Sequence, residues 1–207
     1  MTIADLVGHF AATTPRYVTV NGQIIFNDVT PAASGGYTHP VHGTVTPVQK
    51  HTFHGGTEES VDAPDPEAPW WNQPELIQRH IDAMAYSFPG FTYLPPESDT
   101  VPVWVGEIDT GRGKFPIGIA LRSDQGLPRI ALLSKIQLGV FAGRRWVRAP
   151  HLYDNGNLCV ADVTEWQPEE HTAATATAWA AHWLAAYTEW RITRKNWPVT
   201  GVVGVAA

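Results

Sequence analysis

The sequence predicts an α+β fold. A helix leads into an antiparallel meander, and an irregular loop carrying the only cysteine leads into a second, long helix. Three observations predict it. After Gln73-Pro74, the stretch ELIQRHIDAMAYSF places Leu76, Ile77, His80, Ile81, Met84 and Phe88 on one helical face. VPVWVGEI, KFPIGIALR and LPRIALLS alternate in the strand manner. Beyond Trp166-Gln167-Pro168, the residues Trp179, Trp183, Tyr187 and Trp190 recur at helical spacing. Helices and strands are thus grouped along the chain, unlike the regular alternation of a doubly wound fold.

Taken in order, Ile3 to Ala12 suits a short helix, with Leu6 and Phe10 one turn apart. RYVTVNGQIIF reads as two strands about Asn21-Gly22, a pair suited to a type I′ turn because both residues tolerate positive φ. From Thr30 to Pro69 the chain is rich in Pro, Gly, Thr and His, and PAASGG and SVDAPDPEAP read as loop or linker. Residues 1–69 are therefore expected to form an N-terminal appendage to a unit spanning 70–207. In that unit, Pro74 suits the first turn of its helix and Glu75 complements the positive helix end. Pro89-Gly90 ends the helix. Asp109–Gly113 and Asp124–Gly126 separate the strands of the meander. The last helix is expected to run from about Glu169 to Arg194. Its aromatic stripe reads as core, with a binding surface as the alternative.

Composition narrows the function. The 207 residues are 43% hydrophobic and 16% charged, which suits a globular chain with a sizeable core. A net charge of −6 argues against a nucleic-acid-binding protein, which needs clustered Lys and Arg to neutralise phosphates. A single cysteine makes no intramolecular disulfide, which fits a reducing, cytoplasmic setting. Neither a signal peptide nor a membrane span is expected.

The chemistry concentrates in Ala149-Pro150-His151-Leu152-Tyr153-Asp154-Asn155-Gly156-Asn157-Leu158-Cys159. Asp154 to Asn157 is turn sequence, and Gly156 suits a position of positive φ. Such a loop is expected to hold Cys159 near the surface, within reach of a large partner. His151, brought back by the turn, is placed to lower the thiol pKa or to stabilise charge on a reacting carbonyl. On residue type alone, a solitary cysteine is as well explained as a small buried hydrophobe.

The spacing of this segment resembles the active-site loop of ubiquitin-conjugating enzymes. Pro150, Leu152, Tyr153, Gly156, Leu158 and Cys159 match that family's pattern in register, and Trp166 and Pro168 match its downstream Trp-x-Pro. The similarity is closer to divergent bacterial members found in anti-phage defence and ubiquitin-like operons. There a Pro-His-x-Tyr precedes Gly-x-Leu-Cys, and a later helix carries the pattern seen here as Trp179, Trp183, Leu184, Tyr187, Trp190, Thr193, Trp197 and Pro198. Ala149 stands where the family has His, and His151 where it has an oxyanion-stabilising Asn. No clear equivalent of the family's acidic gate is apparent, although Asp162 is near in sequence.

The resemblance implies a ubiquitin-conjugating-enzyme-like domain over roughly residues 70–200, and Cys159 as a nucleophile that carries a ubiquitin-like modifier as a thioester. It implies three partners: an activating enzyme, the modifier, and a target protein with an acceptor amine. No cofactor, nucleic acid or membrane is implied. Both acyl transfers pass through an oxyanion, so His151 is a candidate donor, or else a residue that holds the loop. Asn155 and Asn157 are alternative amide donors, though turn formation also explains them. Tyr153 and Gly156 are expected to support the loop. Two other readings stand beside this one. One is a Cys-His hydrolase using His151 or His171; the other is a non-catalytic scaffold of the same fold.

Two further groups have bland and functional readings. His39, His42, His51 and His54 suit a solvated loop better than a zinc site, because no cysteine or carboxylate accompanies them at zinc spacing. Arg144, Arg145 and Arg148 read as ordinary surface, or as a seat for an acidic partner.

Overall fold

The computed structural model describes residues 14–33, 35–54, 58–60, 69–98, 100–194 and 196–202. The helix expected over Ile3–Ala12 lies outside them. The described fold is mixed α/β with two α-helices and antiparallel sheets. Strands β1 (Tyr17–Thr19), β2 (Ile24–Ile25), β3 (Thr30–Pro31), β4 (Tyr37–His39) and β5 (Gly43–Pro47) form one sheet in the order β2-β1-β5-β4-β3. Strands β7 (Thr92–Leu94), β8 (Val103–Asp109), β9 (Lys114–Ala120) and β10 (Arg129–Leu132) form the predicted meander. Two smaller pairs join β11 (Gly139–Ala142) to β12 (Arg145–Arg148), and β6 (His51–Thr52) to β13 (Gly201–Val202). The helices are α1 (Pro74–Ser87) and α2 (Ala173–Thr193).

Helix α1 begins and ends where its sequence dictates, with Pro74 in the first turn and Phe88 at the C-cap. Its His80 and Met84, with Phe88, are buried. Helix α2 differs from its expectation in two ways. It starts at Ala173, not near Glu169, because local bonds occupy the preceding backbone. The N–H groups of Glu170 and His171 donate to the Gln167 carbonyl, and the Gln167 N–H donates to His171 Nδ1. At the N-cap, the Thr172 N–H donates to the Thr175 hydroxyl oxygen at 3.2 Å. The second difference is its burial. The stripe Trp179, Trp183, Tyr187 and Trp190 is core, but so are the alanines around it from Ala173 to Ala186, Ala185 excepted. A helix buried on nearly every side must be enclosed by several elements. Here β1, β2, β9 and α1 all pack against α2.

The stretch read as loop therefore contains strands, and the five-stranded sheet covers one side of the central helix. The residues of β3 to β6 are short, Thr-rich segments punctuated by Gly and Pro, a pattern that hides strands of two to five residues. The β1–β2 hairpin is present, with Val18 opposite Ile24, but its turn is not type I′. Only Gly22 takes positive φ there, and its N–H donates to the Thr19 carbonyl. Val20 and Asn21 thus make a type I turn, with Gly22 as the left-handed residue that follows. The Asn21 carbonyl accepts the Asp109 N–H at 2.8 Å, which ties this hairpin to the end of β8.

The four histidines separate. His39 and His42 face each other at the β4–β5 turn with ring centroids 4.8 Å apart. His51 is fully buried against Trp179 and His182. Among the described residues, no group of three or more His, Cys, Asp or Glu is placed to hold a metal ion. His51 Nδ1 lies 2.8 Å from the Gln49 carbonyl, which can only accept, so Nδ1 carries the hydrogen. His51 Nε2 must then accept from His182 Nδ1–H at 3.0 Å. Burial lowers both pKa values, that of His51 to about 4, and the Arg16 guanidinium adds to the effect. Arg16 itself donates to the Gly201 carbonyl at 3.0 Å, which joins the first sheet to β13.

Two outcomes follow for stability. Buried neutral histidines stabilise the fold fully above their unfolded pKa, near 6.5, and that contribution is lost as pH falls towards their lowered folded values. The urea midpoint is expected to hold between pH 8 and 7 and to decline from about pH 6.5 downwards. A midpoint constant from pH 7 to 5 would contradict the neutral pair. At Gly201, φ is +142° and an added Cβ would sit 2.0 Å from the His51 carbonyl oxygen. Gly201→Ala is expected to cost roughly 2 kcal/mol or more, read as a lower melting temperature.

Candidate functional site

The segment bearing Cys159 folds as a tight hairpin. Leu152 and Leu158 form an antiparallel bridge, and the Tyr153 N–H donates to the Asn157 carbonyl at 3.0 Å. The Gly156 N–H closes the turn onto the Tyr153 carbonyl at 2.8 Å, with Gly156 at φ +93°. The Asn155 side-chain oxygen accepts the Asn157 N–H at 3.0 Å, the Asx turn that its residue type favours. This pairing sets His151 opposite Cys159. The Cys159 N–H donates to the His151 carbonyl at 3.0 Å. Trp183 Nε1–H from α2 donates to the same carbonyl, also at 3.0 Å. His151 presents its carbonyl this way from a left-handed conformation, φ +56°.

The thiol is not at the surface as the loop sequence suggests. Cys159 is 2% exposed, between the buried Leu158 and Val160. The Tyr153 hydroxyl, from two residues further along the opposite strand than His151, is hydrogen-bonded with the sulfur. Burial first, and this bond second, hold the Tyr153 phenol protonated well above its ordinary range. The phenol is therefore a donor towards the sulfur at neutral pH. Arg148 of β12 donates to the Tyr153 carbonyl and lies 3.6 Å from Asp154, so one member of the arginine cluster braces the hairpin. Arg144 and Arg145 are exposed at the start of β12. A groove of about 580 Å³ lies beside the turn, lined in part by Trp146, Arg148, Leu152, Asn155 and Asn157.

The His151 ring packs on Phe53 and Trp197, and Nδ1 sits 3.0 Å from the His54 carbonyl. Since a carbonyl only accepts, Nδ1 carries the hydrogen and the neutral ring leaves Nε2 as an acceptor. Burial is the main cause of a lowered His151 pKa, which favours that neutral form. His171 is a core residue between Trp166 and Trp179, with Nδ1 accepting the Gln167 N–H. Asp162 caps the short 3-10 helix Val163–Glu165, accepting from the Thr164 N–H and hydroxyl, which is the main reason its pKa is lowered.

Residues that carry no sequence signal complete the surroundings. Glu165 accepts from the Thr52 N–H at 2.7 Å and from its hydroxyl at 3.0 Å. His54 Nε2 lies 3.4 Å from Asp162. Glu59 Oε2 accepts from the side-chain amides of both Asn155, at 2.8 Å, and Asn157, at 2.7 Å. Residues 51–54 and 58–60 thus form one wall of the site. No local pattern reveals such a partnership, since Glu59 and Asn157 lie 98 positions apart.

Residues 80–204, more than half of the chain, match the family described as Type II CBASS E2 protein. Neither the curated proteins nor the solved structures gave a match. The matched span runs from within α1 through the Cys159 hairpin and α2 to β13. It agrees with the resemblance to divergent bacterial, anti-phage conjugating enzymes carried by the hairpin sequence: the chain belongs to the Type II CBASS E2 family.

Proposed function

We propose that Cys159 receives the C-terminus of a ubiquitin-like protein from an activating enzyme as a thioester and passes it to an amine on a target protein, within a CBASS defence pathway. The observation that carries this reading is the pairing of Tyr153 with Cys159 inside a hairpin whose residues match the conjugating-enzyme loop in register. On this reading residues 70–207 are the catalytic unit, with the conjugating-enzyme arrangement, and residues 1–69 are added to it.

In loading, the Cys159 thiolate attacks the thioester carbonyl of the activating enzyme. The tetrahedral oxyanion collapses, the new C–S bond stays, and the donor cysteine leaves as its thiolate. In transfer, the acceptor amine attacks the carbonyl on Cys159, loses a proton, and expels the Cys159 thiolate as the amide forms. The phenol of Tyr153 donates to the sulfur and so favours the thiolate in both steps. Of the two roles expected of His151, oxyanion donor or holder of the loop, its carbonyl supports the second and its ring suits a third. With Nδ1–H committed to the His54 carbonyl, the lone pair of Nε2 is left to accept a proton, which on this reading is that of the attacking amine.

Three outcomes test this. With activating enzyme, modifier and ATP, the native chain forms an adduct that thiols cleave. Cys159→Ser forms a thiol-resistant oxyester and Cys159→Ala forms none. An adduct persisting in Cys159→Ala contradicts the assignment. His151→Gln is expected to slow discharge of the loaded thioester to free lysine by roughly 10²-fold. Because only the neutral ring accepts a proton and burial lowers its pKa, native discharge should stay active below pH 6.5, with its acid limb displaced to lower pH. A discharge rate unchanged in His151→Gln removes the base role.

A further inference from the structure

We infer that residues 58–60 form a built-in latch over the Cys159 hairpin, with Glu59 occupying a two-amide seat that must be vacated before the thiol reacts; the inference rests on the reading of Cys159 as the acyl-carrying thiol. The Glu59 side chain is 11% exposed, well covered for a carboxylate, although Glu58 and Ser60 on either side of it are exposed. A single oxygen, Oε2, receives two amide N–H donors from the turn, and Arg129 Nε lies 3.8 Å from the same oxygen. Ser60, the next residue, is clamped as firmly. Buried Arg122 donates to its carbonyl at 2.7 Å and to its hydroxyl at 2.8 Å, and Asp124 holds the Arg122 guanidinium in place. Glu59 also lies near enough to the Tyr153 phenol for its charge to help raise the phenol pKa.

This arrangement sets the state of the site. A thiol that is 2% exposed cannot reach a thioester held by another protein, so an open form of the hairpin must exist for chemistry. Two charge-assisted hydrogen bonds to one carboxylate oxygen hold the turn against that opening. The occupant is an anionic oxygen, and the donors are uncharged amides. A carbonyl oxygen of an arriving C-terminal tail is an acceptor of the same geometry and can replace it. Glu59 therefore competes, within the chain, with the substrate. Residues 58–60 are on this view a regulator of thiol access, released when a partner offers acceptors to Asn155 and Asn157.

The experiment measures alkylation of Cys159 by iodoacetamide in the folded, full-length chain, with melting temperature recorded in parallel. Alkylation of a buried thiol follows the population of open forms. Glu59→Ala removes the occupant. Asn155→Asp, at an exposed position, places a negative charge opposite Glu59 and expels it without touching the core. Both variants should alkylate faster, by about tenfold or more. Native rates in both folded variants overturn the latch, and if Glu59→Ala fails to fold, Asn155→Asp alone decides. Accelerated alkylation in chains that never take up the modifier keeps the latch and removes the acyl-carrier reading. Modifier uptake with unaltered alkylation does the reverse.

Discussion

The carbonyl of His151 is where the candidate site joins the core. It accepts the Cys159 N–H from across the hairpin and the Trp183 Nε1–H from the central helix, each at 3.0 Å. Two donors on one oxygen fix the hairpin's height and orientation against α2. They also require the left-handed backbone of His151, an uncommon state for a residue with a side chain. The ring is then carried to Phe53, Trp197 and the His54 carbonyl, on the side where the N-terminal segment passes. The same residue thus positions the thiol through its backbone and meets the N-terminal segment through its side chain.

That segment is held to the site at several points. Thr52 binds Glu165, His54 faces Asp162 and His151, and Glu59 binds the two asparagines. Beneath them, the neutral pair of His51 and His182 and the β6–β13 strands lock residues 51–52 between the central helix and the C-terminal strand. The N-terminal sheet encloses one side of α2, so that helix can be buried on nearly every side. Enclosure of the helix and construction of the site's wall are two results of one chain path.

Much of the fold was legible because periodicity reports burial on one face. The α1 helix, the meander and the aromatic side of α2 follow from spacing alone. The rest was hidden for identifiable reasons. Strands of two to five residues are too short to show alternation, so β3 to β6 read as loop. The start of α2 was displaced by the local bonds of His171 and Thr172, which compete with helix formation. In the site, the turn at Asp154–Asn157 and the glycine at positive φ were readable from residue types. The burial of Cys159, the direction of the His151 ring and the role of Glu59 were not. Each depends on partners distant in sequence, which no local pattern encodes.

The proposed acyl-carrying role of Cys159 is tested most directly by the ubiquitin-like modifier bearing a Michael acceptor in place of its C-terminal carboxylate. Mass mapping after incubation with the folded chain needs neither activating enzyme nor target. One covalent link is expected, at Cys159, formed faster than with a free acceptor of the same chemistry. A folded chain whose Cys159 reacts no faster with the modifier than with the free acceptor would contradict it.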